Sequence, residues 1–309
     1  MIPPRRNTPH WLKTFFADSF VPLGRAWIRY GPVSLGKGTV WRWFGSRAHS
    51  FRVRTRAGFL ITGNSCDLIQ SRLYWFGVWE PNITAWVTQH LKPGDAFADV
   101  GANIGYYTLL ASRLVGHAGH VVAIEPAAQV HDRLARHLQI NRVRNVSLFR
   151  VAVGDKRRRA KIFMGPRNNL GASSLLNAGN AGTLAEEVEV WPLSEILPRE
   201  LLSRISLVKI DVEGAEADAL AGLEAALPYL PNRAAILCEI NPERLAAVGS
   251  SAESLLDRMR RLGFSAYKIK NVYGVSAYLT QEIVQPELLE GAIEHMADVV
   301  FMRLRTENR

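Results

Sequence analysis

The sequence predicts an α/β domain whose sheet is mostly parallel and covered by helices on both faces, preceded by a basic extension. Three observations point there. From Leu91 onward, short apolar runs alternate with helical patterns, the order that crossover helices between parallel strands impose. The stretch DVGANIGYYTLLASRL, from Asp99 to Leu114, sets a glycine-bearing turn between the first run and the first helix. With 309 residues and 48% hydrophobic content, the chain suits one domain of about 200 to 250 residues plus extensions.

AFADVG is the first strand, and Ile104 to Leu114 is its helix. HVVAIEP is strand two, QVHDRLARHLQIN a helix, and NVSLFRVAVGD strand three. KRRRAKIFMG and EEVEVWP form a strand pair around PRNNLGASSLLNAGNAG, whose Gly, Asn and Ser content makes it a loop suited to act as a lid. ISLVKIDVEG is strand four and GAEADALAGLEAAL its helix; AAILCEINP is strand five, SAESLLDRMRRLG a helix, FSAYKIK strand six and DVVFMRL strand seven. The expected main sheet therefore has seven strands.

The charge is uneven. Net charge is +10, yet residues 1–60 hold eleven Lys plus Arg and one acid, Asp18, so the body is neutral. Such an arm suits an anionic surface or substrate, whereas a neutral body disfavours nucleic acid. In WLKTFFADSFVPLGRAWIRYG, residues Trp11, Leu12, Phe15, Phe16 and Phe20 share one helical face, with Arg25, Arg29 and Arg42 nearby. That face either lies on an anionic membrane or packs on the domain. No apolar run approaches the roughly 18 residues that span a bilayer, and the start lacks the pattern of a signal peptide. The expectation is a cytoplasmic protein with peripheral membrane contact through residues 1–60. Cys66 and Cys238 are too few for a disulfide framework or a four-ligand zinc site. The division is an extension over 1–70 and a main domain over 71–309.

In open α/β sheets the ligand sits outside the carboxyl ends of the strands, where strand order reverses, so residues following strands one to four should line the site. A dinucleotide turn carries a second glycine two residues after the first, which lets the backbone approach a pyrophosphate. Here that position is Asn103, and the glycines are Gly101 and Gly105. A pyrophosphate ligand is disfavoured. Glu125 ends strand two 20 residues after Gly105, where a carboxylate can accept hydrogen bonds from both hydroxyls of a ribose. That geometry serves either kind of nucleoside cofactor.

Asp99-x-Gly101-x-x-x-Gly105 resembles the first motif of class I methyltransferases, whose ligand, S-adenosylmethionine, has no phosphate. The resemblance implies a Rossmann-like fold and a loop of Gly101, Ala102, Asn103 and Gly105 that follows the methionine moiety. It also implies that Asp99 lies near the ammonium group, and that Val153 and Asp155 present a backbone amide and a carboxylate to adenine. LKPGDAFADVGANIGYYT, VVAIEP, VAVGD and LVKIDVEGAE together resemble the FkbM family of methyltransferases, over about residues 75 to 304. That group is associated with O-methylation in natural-product and saccharide pathways. GVWEP fits the family's entry segment and so implies that Glu80 is near the cofactor. Where the family often has Leu-Asp before strand four, this chain has Leu193 and Ser194. The implied acceptor is a small molecule or a carrier-linked saccharide, and nucleic acid is not expected as a partner.

Methyl transfer is an in-line displacement that needs an aligned acceptor and, for an alcohol, removal of a proton. KIDVEGAE supplies Lys209, Asp211, Glu213 and Glu216 where strand four turns into its helix. Asp211 and Glu213 are catalytic candidates, although either could instead cap the helix or favour its dipole, and Lys209 could pair with one of them. Strand five ends with a further candidate, Glu239, and with Asn241. Asp211, Glu239 and Asn241 resemble the oxygen ligands that catechol-type methyltransferases use to hold magnesium. His131 and His137 read as solvated positions of the helix after strand two. Lys156 to Lys161, KRRRAK, either grips a phosphate or is a charged hairpin turn. A nucleic-acid N-methyltransferase would show Asn/Asp-Pro-Pro-Tyr/Phe where DVEG stands. A nicotinamide dehydrogenase would need the absent glycine. A non-catalytic binding or membrane-scaffold protein on the same fold is the third alternative, because fold does not fix function.

Overall fold

The computed structural model describes residues 21–31, 36–44, 49–166, 173–175, 185–280 and 283–303. Helices α1 (21–30) and α2 (Lys37–Phe44) lead into an antiparallel pair, β1 (Ser50–Arg54) and β2 (Leu60–Asn64). Then come α3 (Leu68–Phe76), α4 (Pro81–His90), β3 (Ala96–Val100), α5 (Tyr106–Val115), β4 (His120–Ile124), α6 (Ala128–Ile140) and β5 (Val146–Phe149). A second, three-stranded sheet follows, of β6 (Ala152–Val153), β7 (Arg158–Phe163) and β8 (Ala185–Trp191). After two one-turn helices, α7 (Leu193–Ile196) and α8 (Arg199–Leu202), the chain returns to the main sheet with β9 (Ile205–Ile210). The rest is α9 (Glu216–Leu223), β10 (Ala235–Ile240), α10 (Pro242–Ala247), α11 (Ala252–Arg261), β11 (Phe264–Ile269), α12 (Val275–Thr280), β12 (Glu287–Leu288) and β13 (Ala297–Arg303).

The main sheet runs β12-β11-β13-β10-β9-β3-β4-β5, with β13 antiparallel to both of its neighbours. All seven expected strands are in it, and β12 adds a two-residue edge. The central strands β3 and β9 are buried at every position, as a strand covered on both faces must be. Strand order reverses between β3 and β9, which puts the carboxyl ends of β3, β4, β9 and β10 around one crevice.

The turn after β3 explains the glycine spacing. Gly101 (φ 80°) and Gly105 (φ 89°) both adopt left-handed backbone. A Cβ on Gly101 would fall on the carbonyl oxygen of Asp211, and one on Gly105 would fall on Cδ1 of Leu134. The two glycines thus let the turn pack against the end of β9 and against α6.

Two expectations are corrected, and Arg29 follows the packing alternative. NVSLFRVAVGD is not one strand: the main-sheet strand stops at Phe149, and Ala152–Val153 pairs in parallel with Val190–Trp191 of β8. His137 is fully buried rather than solvated. Its Nδ1–H donates to the carbonyl of Ile104 (2.8 Å), and Nε2 accepts from the backbone N–H of Thr62 (3.1 Å), so α6 ties β2 to the glycine turn. Arg29 is buried as well. Its guanidinium donates to the carbonyls of Leu73, Tyr74, Trp75 and Arg54 at 2.7 to 3.3 Å, closing the last turn of α3. Arg25 stacks over the Tyr74 ring, 4.9 Å from its centre. These two arginines hold the extension to the domain, and Val21, Ile28, Val53 and Phe59 share a core with Trp75 and Phe76. The aromatic face from Trp11 to Phe20 and the side chain of Arg42 lie outside the described residues. No helix among the described residues is long and apolar enough to cross a membrane.

Candidate active site

A cavity of about 330 Å³ occupies the crevice. Its apolar half is formed by Ile124, Val130, Val151, Val153 and Ile162; its polar half by Glu80, Asp211, Glu213, Glu239, Arg244 and Tyr273. Glu125 stands between β4 and α6, with its carboxylate fixed by the backbone N–H groups of Asn103 (2.9 Å) and Ala127 (3.0 Å). Burial pushes this carboxyl up to about 7, against the pull of those two donors. Two amides leave lone pairs of the carboxylate available to a ligand.

The cofactor residues implied by the resemblance divide into two groups. Glu80, Gly101, Asn103, Glu125 and Val153 line the cavity. Asp99, Ala102, Gly105 and Asp155 stand behind it. Asp99 is buried and accepts from Thr108 Oγ1 on α5 (2.5 Å), so it braces the turn. The backbone N–H of Ala102 bonds Ile124, and Gly105 starts α5. Asp155 pairs with Arg158 (2.6 Å), which also bridges to Asp218 (2.9 Å). Arg157 pairs with Glu195 and covers Trp191, so these two cations of KRRRAK serve the hairpin and its neighbours.

At the polar end, Glu80 begins α4 in left-handed backbone (φ 43°) and is buried. It accepts from Tyr107 Oη (2.8 Å), Asn271 Nδ2 (3.1 Å) and Tyr273 Oη (3.1 Å). Lys209 is buried and donates to Asp211 Oδ2 (2.7 Å). Burial opposes its charge, but Asp211, Glu80 and Asp99 together hold the ammonium well above its usual range. Glu213 (φ 56°) faces the cavity and is paired with Arg244. Glu216 instead turns back to the N–H of Gly214 (2.9 Å). Glu239 accompanies Asp211, and burial together with the charges of Asp211, Asp298 and Glu80 pushes it up to about 9.

The magnesium set does not fit. Asn241 caps α10, its Oδ1 accepting from the N–H groups of Glu243 and Arg244 (3.1 and 3.3 Å). Among the described residues no group of three His, Cys, Asp or Glu side chains is arranged to hold a metal ion. S-adenosylmethionine does fit the donor chemistry. Among the described residues the cation lining the cavity is Arg244, which is held by Glu213, so a pyrophosphate finds no free basic side chain among them, whereas a cationic ligand meets Glu80, Asp211 and Glu239.

Tyr273, Asn271 and Asp298 were not anticipated from the sequence. A signal existed: Asn271 and Tyr273 follow the carboxyl end of β11, and Asp298 lies near the start of the antiparallel β13, which brings it to the same edge of the sheet.

Residues 99–266 match the model of the methyltransferase FkbM domain. The chain belongs to the FkbM methyltransferase domain family. Among curated relatives of this family member, 31-O-demethyl-FK506 methyltransferase FkbM of Streptomyces tacrolimicus is 31% identical over 168 residues, covering 44% of this chain and 62% of that one. AMB antimetabolite synthetase AmbE of Pseudomonas aeruginosa is 30% identical over 209 residues, 56% of this chain and 10% of that one. The match thus spans less than two thirds of either relative. A solved S-adenosylmethionine-dependent O-methyltransferase of Thermotoga maritima aligns at a TM-score of 0.40 and 13% identity, over 87% of this chain and 83% of that one.

Proposed function

We propose that this FkbM-family chain is an S-adenosylmethionine-dependent O-methyltransferase acting on a hydroxyl of a saccharide, glycolipid or other secondary metabolite. One observation carries the cofactor: the cavity joins a ribose-ready Glu125 to an end where Glu80, Asp211 and Glu239 outnumber the cation Lys209. Bound there, the cofactor supplies an electrophilic methyl group. Glu125 and Asn103 would hold the nucleoside, with Val153 against the base, and Glu80 would face the cationic end. Asp211, fixed by Lys209, orients the acceptor hydroxyl. A cavity carboxylate takes the hydroxyl proton. The insert contributes Ser173 and Leu175 to the wall, and Ser174 Oγ donates to the carbonyl of Glu213 (2.6 Å), so acceptor preference is placed there in this reading.

The test incubates the purified chain with methyl-labelled S-adenosylmethionine and a metabolite extract. Label on an oxygen of a product heavier by one methyl group, lost in Asp211→Asn, supports the proposal. Label on nitrogen or carbon overturns the O-specificity. Cofactor binding without transfer to any acceptor favours the non-catalytic alternative.

A further inference from the structure

Glu239 and Glu80 reach the same hydroxyl. Tyr273 Oη lies 3.1 Å from Glu80 Oε1 and 3.1 Å from Glu239 Oε2. A phenol has one proton to donate. Burial raises the Glu80 carboxyl, but Lys209 and the hydrogen bonds from Tyr107 and Asn271 all favour its ionised form. The Tyr273 proton then completes Glu80, and the short contact to Glu239 is a hydrogen bond only if Glu239 supplies a proton of its own. A second, independent feature agrees. Glu239 stands directly opposite Asp298 in the β10–β13 register, where two like charges repel. Asn271 uses its other N–H on Asp298 Oδ2 (2.9 Å) and has none left for Glu239.

We infer that Glu239 is a neutral acid in the resting site and gives its proton to solvent when the cationic cofactor binds, so that it distinguishes the sulfonium from its thioether product and becomes the proton acceptor only in the loaded site. This rests on the cofactor reading above. The groups facing Glu239 are Lys209 of β9 and Asp211 just after it, Asp298 from β13, Glu80 ahead of α4, Tyr273 after β11, and Arg244 of α10, which is engaged with Glu213. Burial and the surrounding acids hold Glu239 up to about 9, so the proton is present at neutral pH. In turnover the acceptor O–H bond breaks and its proton passes to the Glu239 carboxylate, while an O–CH₃ bond forms and the S–CH₃ bond breaks. The positive charge lost at sulfur is matched by the proton gained at Glu239, and the net charge of the site is unchanged.

The test is calorimetry on the full chain at about pH 8, in buffers of different ionisation enthalpy, with S-adenosylmethionine and S-adenosylhomocysteine as separate probes. The sulfonium should release close to one proton more than the thioether, and its affinity should tighten by up to about tenfold per pH unit toward pH 9. Glu239→Gln keeps a donor for Tyr273 but has no proton to lose. It should abolish the extra release and leave thioether affinity within a few-fold. An infrared band of a protonated carboxyl should vanish on sulfonium binding and be missing in Glu239→Gln. Equal proton release by both probes, or an extra release that survives in Glu239→Gln, overturns the inference alone. Proton release on adding magnesium chloride to the ligand-free chain also overturns it, because the acids would then form a metal site. Failure of both probes to bind overturns the cofactor reading and the inference with it.

Discussion

In the proposed reading, replacing Glu125 by Ala removes the carboxylate that holds the nucleoside, and the structure sets the size of the expected effect. The carboxylate is oriented before any ligand arrives, by Asn103 N–H at 2.9 Å and Ala127 N–H at 3.0 Å, so no rotamer entropy remains to be lost on binding. Hydrogen bonds to a charged group contribute about 1.5 to 3 kcal/mol, which corresponds to a loss of about ten- to hundredfold in affinity. The probe should be S-adenosylhomocysteine, which keeps the ribose but lacks the sulfonium, so Glu239 does not enter the measurement. The pH dependence gives a second reading of the same group. Burial holds Glu125 at about 7, and only its ionised form can accept from both ribose hydroxyls. Thioether affinity should therefore weaken as pH falls through about 7 and level off above it. Calorimetry across pH 6 to 8.5 on both proteins is the assay. An Ala variant that binds the thioether within twofold of the parent chain, or a flat pH profile for the parent, would refute the role given to Glu125.

Four further outcomes follow from the same geometry. Asp211→Asn should lower turnover at saturating cofactor at least about tenfold, a loss of about 1.4 kcal/mol of transition-state stabilisation; unchanged turnover would reduce Asp211 to a partner of Lys209. Gly101→Ala drives a methyl group into the Asp211 carbonyl at φ 80°, so thermal unfolding should show a loss of more than about 2 kcal/mol, and a parent-like Tm would contradict that packing. Arg29→Met leaves the carbonyls of Leu73, Tyr74 and Trp75 without their donor and should cost about 2 kcal/mol or more, read as a lower urea midpoint at constant slope. Ligand-free stability should fall as pH rises from about 5 to 9: Glu239, raised to about 9, and Asp298, raised to about 8, keep protons in the folded state that the unfolded chain has already released. Stability rising over that interval would contradict the buried acid cluster.

The sheet was legible because its signals are local. AFADV, HVVAI and ISLVKI are apolar runs of strand length with glycine or acid at their carboxyl ends, and the chain folds them as β3, β4 and β9. Gly101, Glu125 and Asp211 could be placed at the crevice because carboxyl ends of strands converge there in this topology. What escaped depends on partners distant in sequence. Tyr273 meets Glu80, 193 residues away, and Arg29 meets Leu73, 44 residues away, so no periodicity or spacing announces either contact. Motif position points Asp99 and Asp155 toward the ligand, and the partners that the structure gives them, Thr108 and Arg158, are not readable from that position. His137 looked solvated because α6 is rich in polar residues; β2 packs over it, and that strand's position is invisible from the helix alone. NVSLFRVAVGD reads as one strand because its apolar residues continue, but the ladder offered by β8 takes the second half.

The most direct test of the cofactor assignment is a calorimetric titration of the purified chain with S-adenosylmethionine, S-adenosylhomocysteine and NAD in parallel. Both sulfur compounds should bind with one-to-one stoichiometry and NAD should give no heat, because the acids at the polar end suit a cation and the lining arginine is already engaged. Heat from NAD alone, with both sulfur compounds silent, would contradict the account.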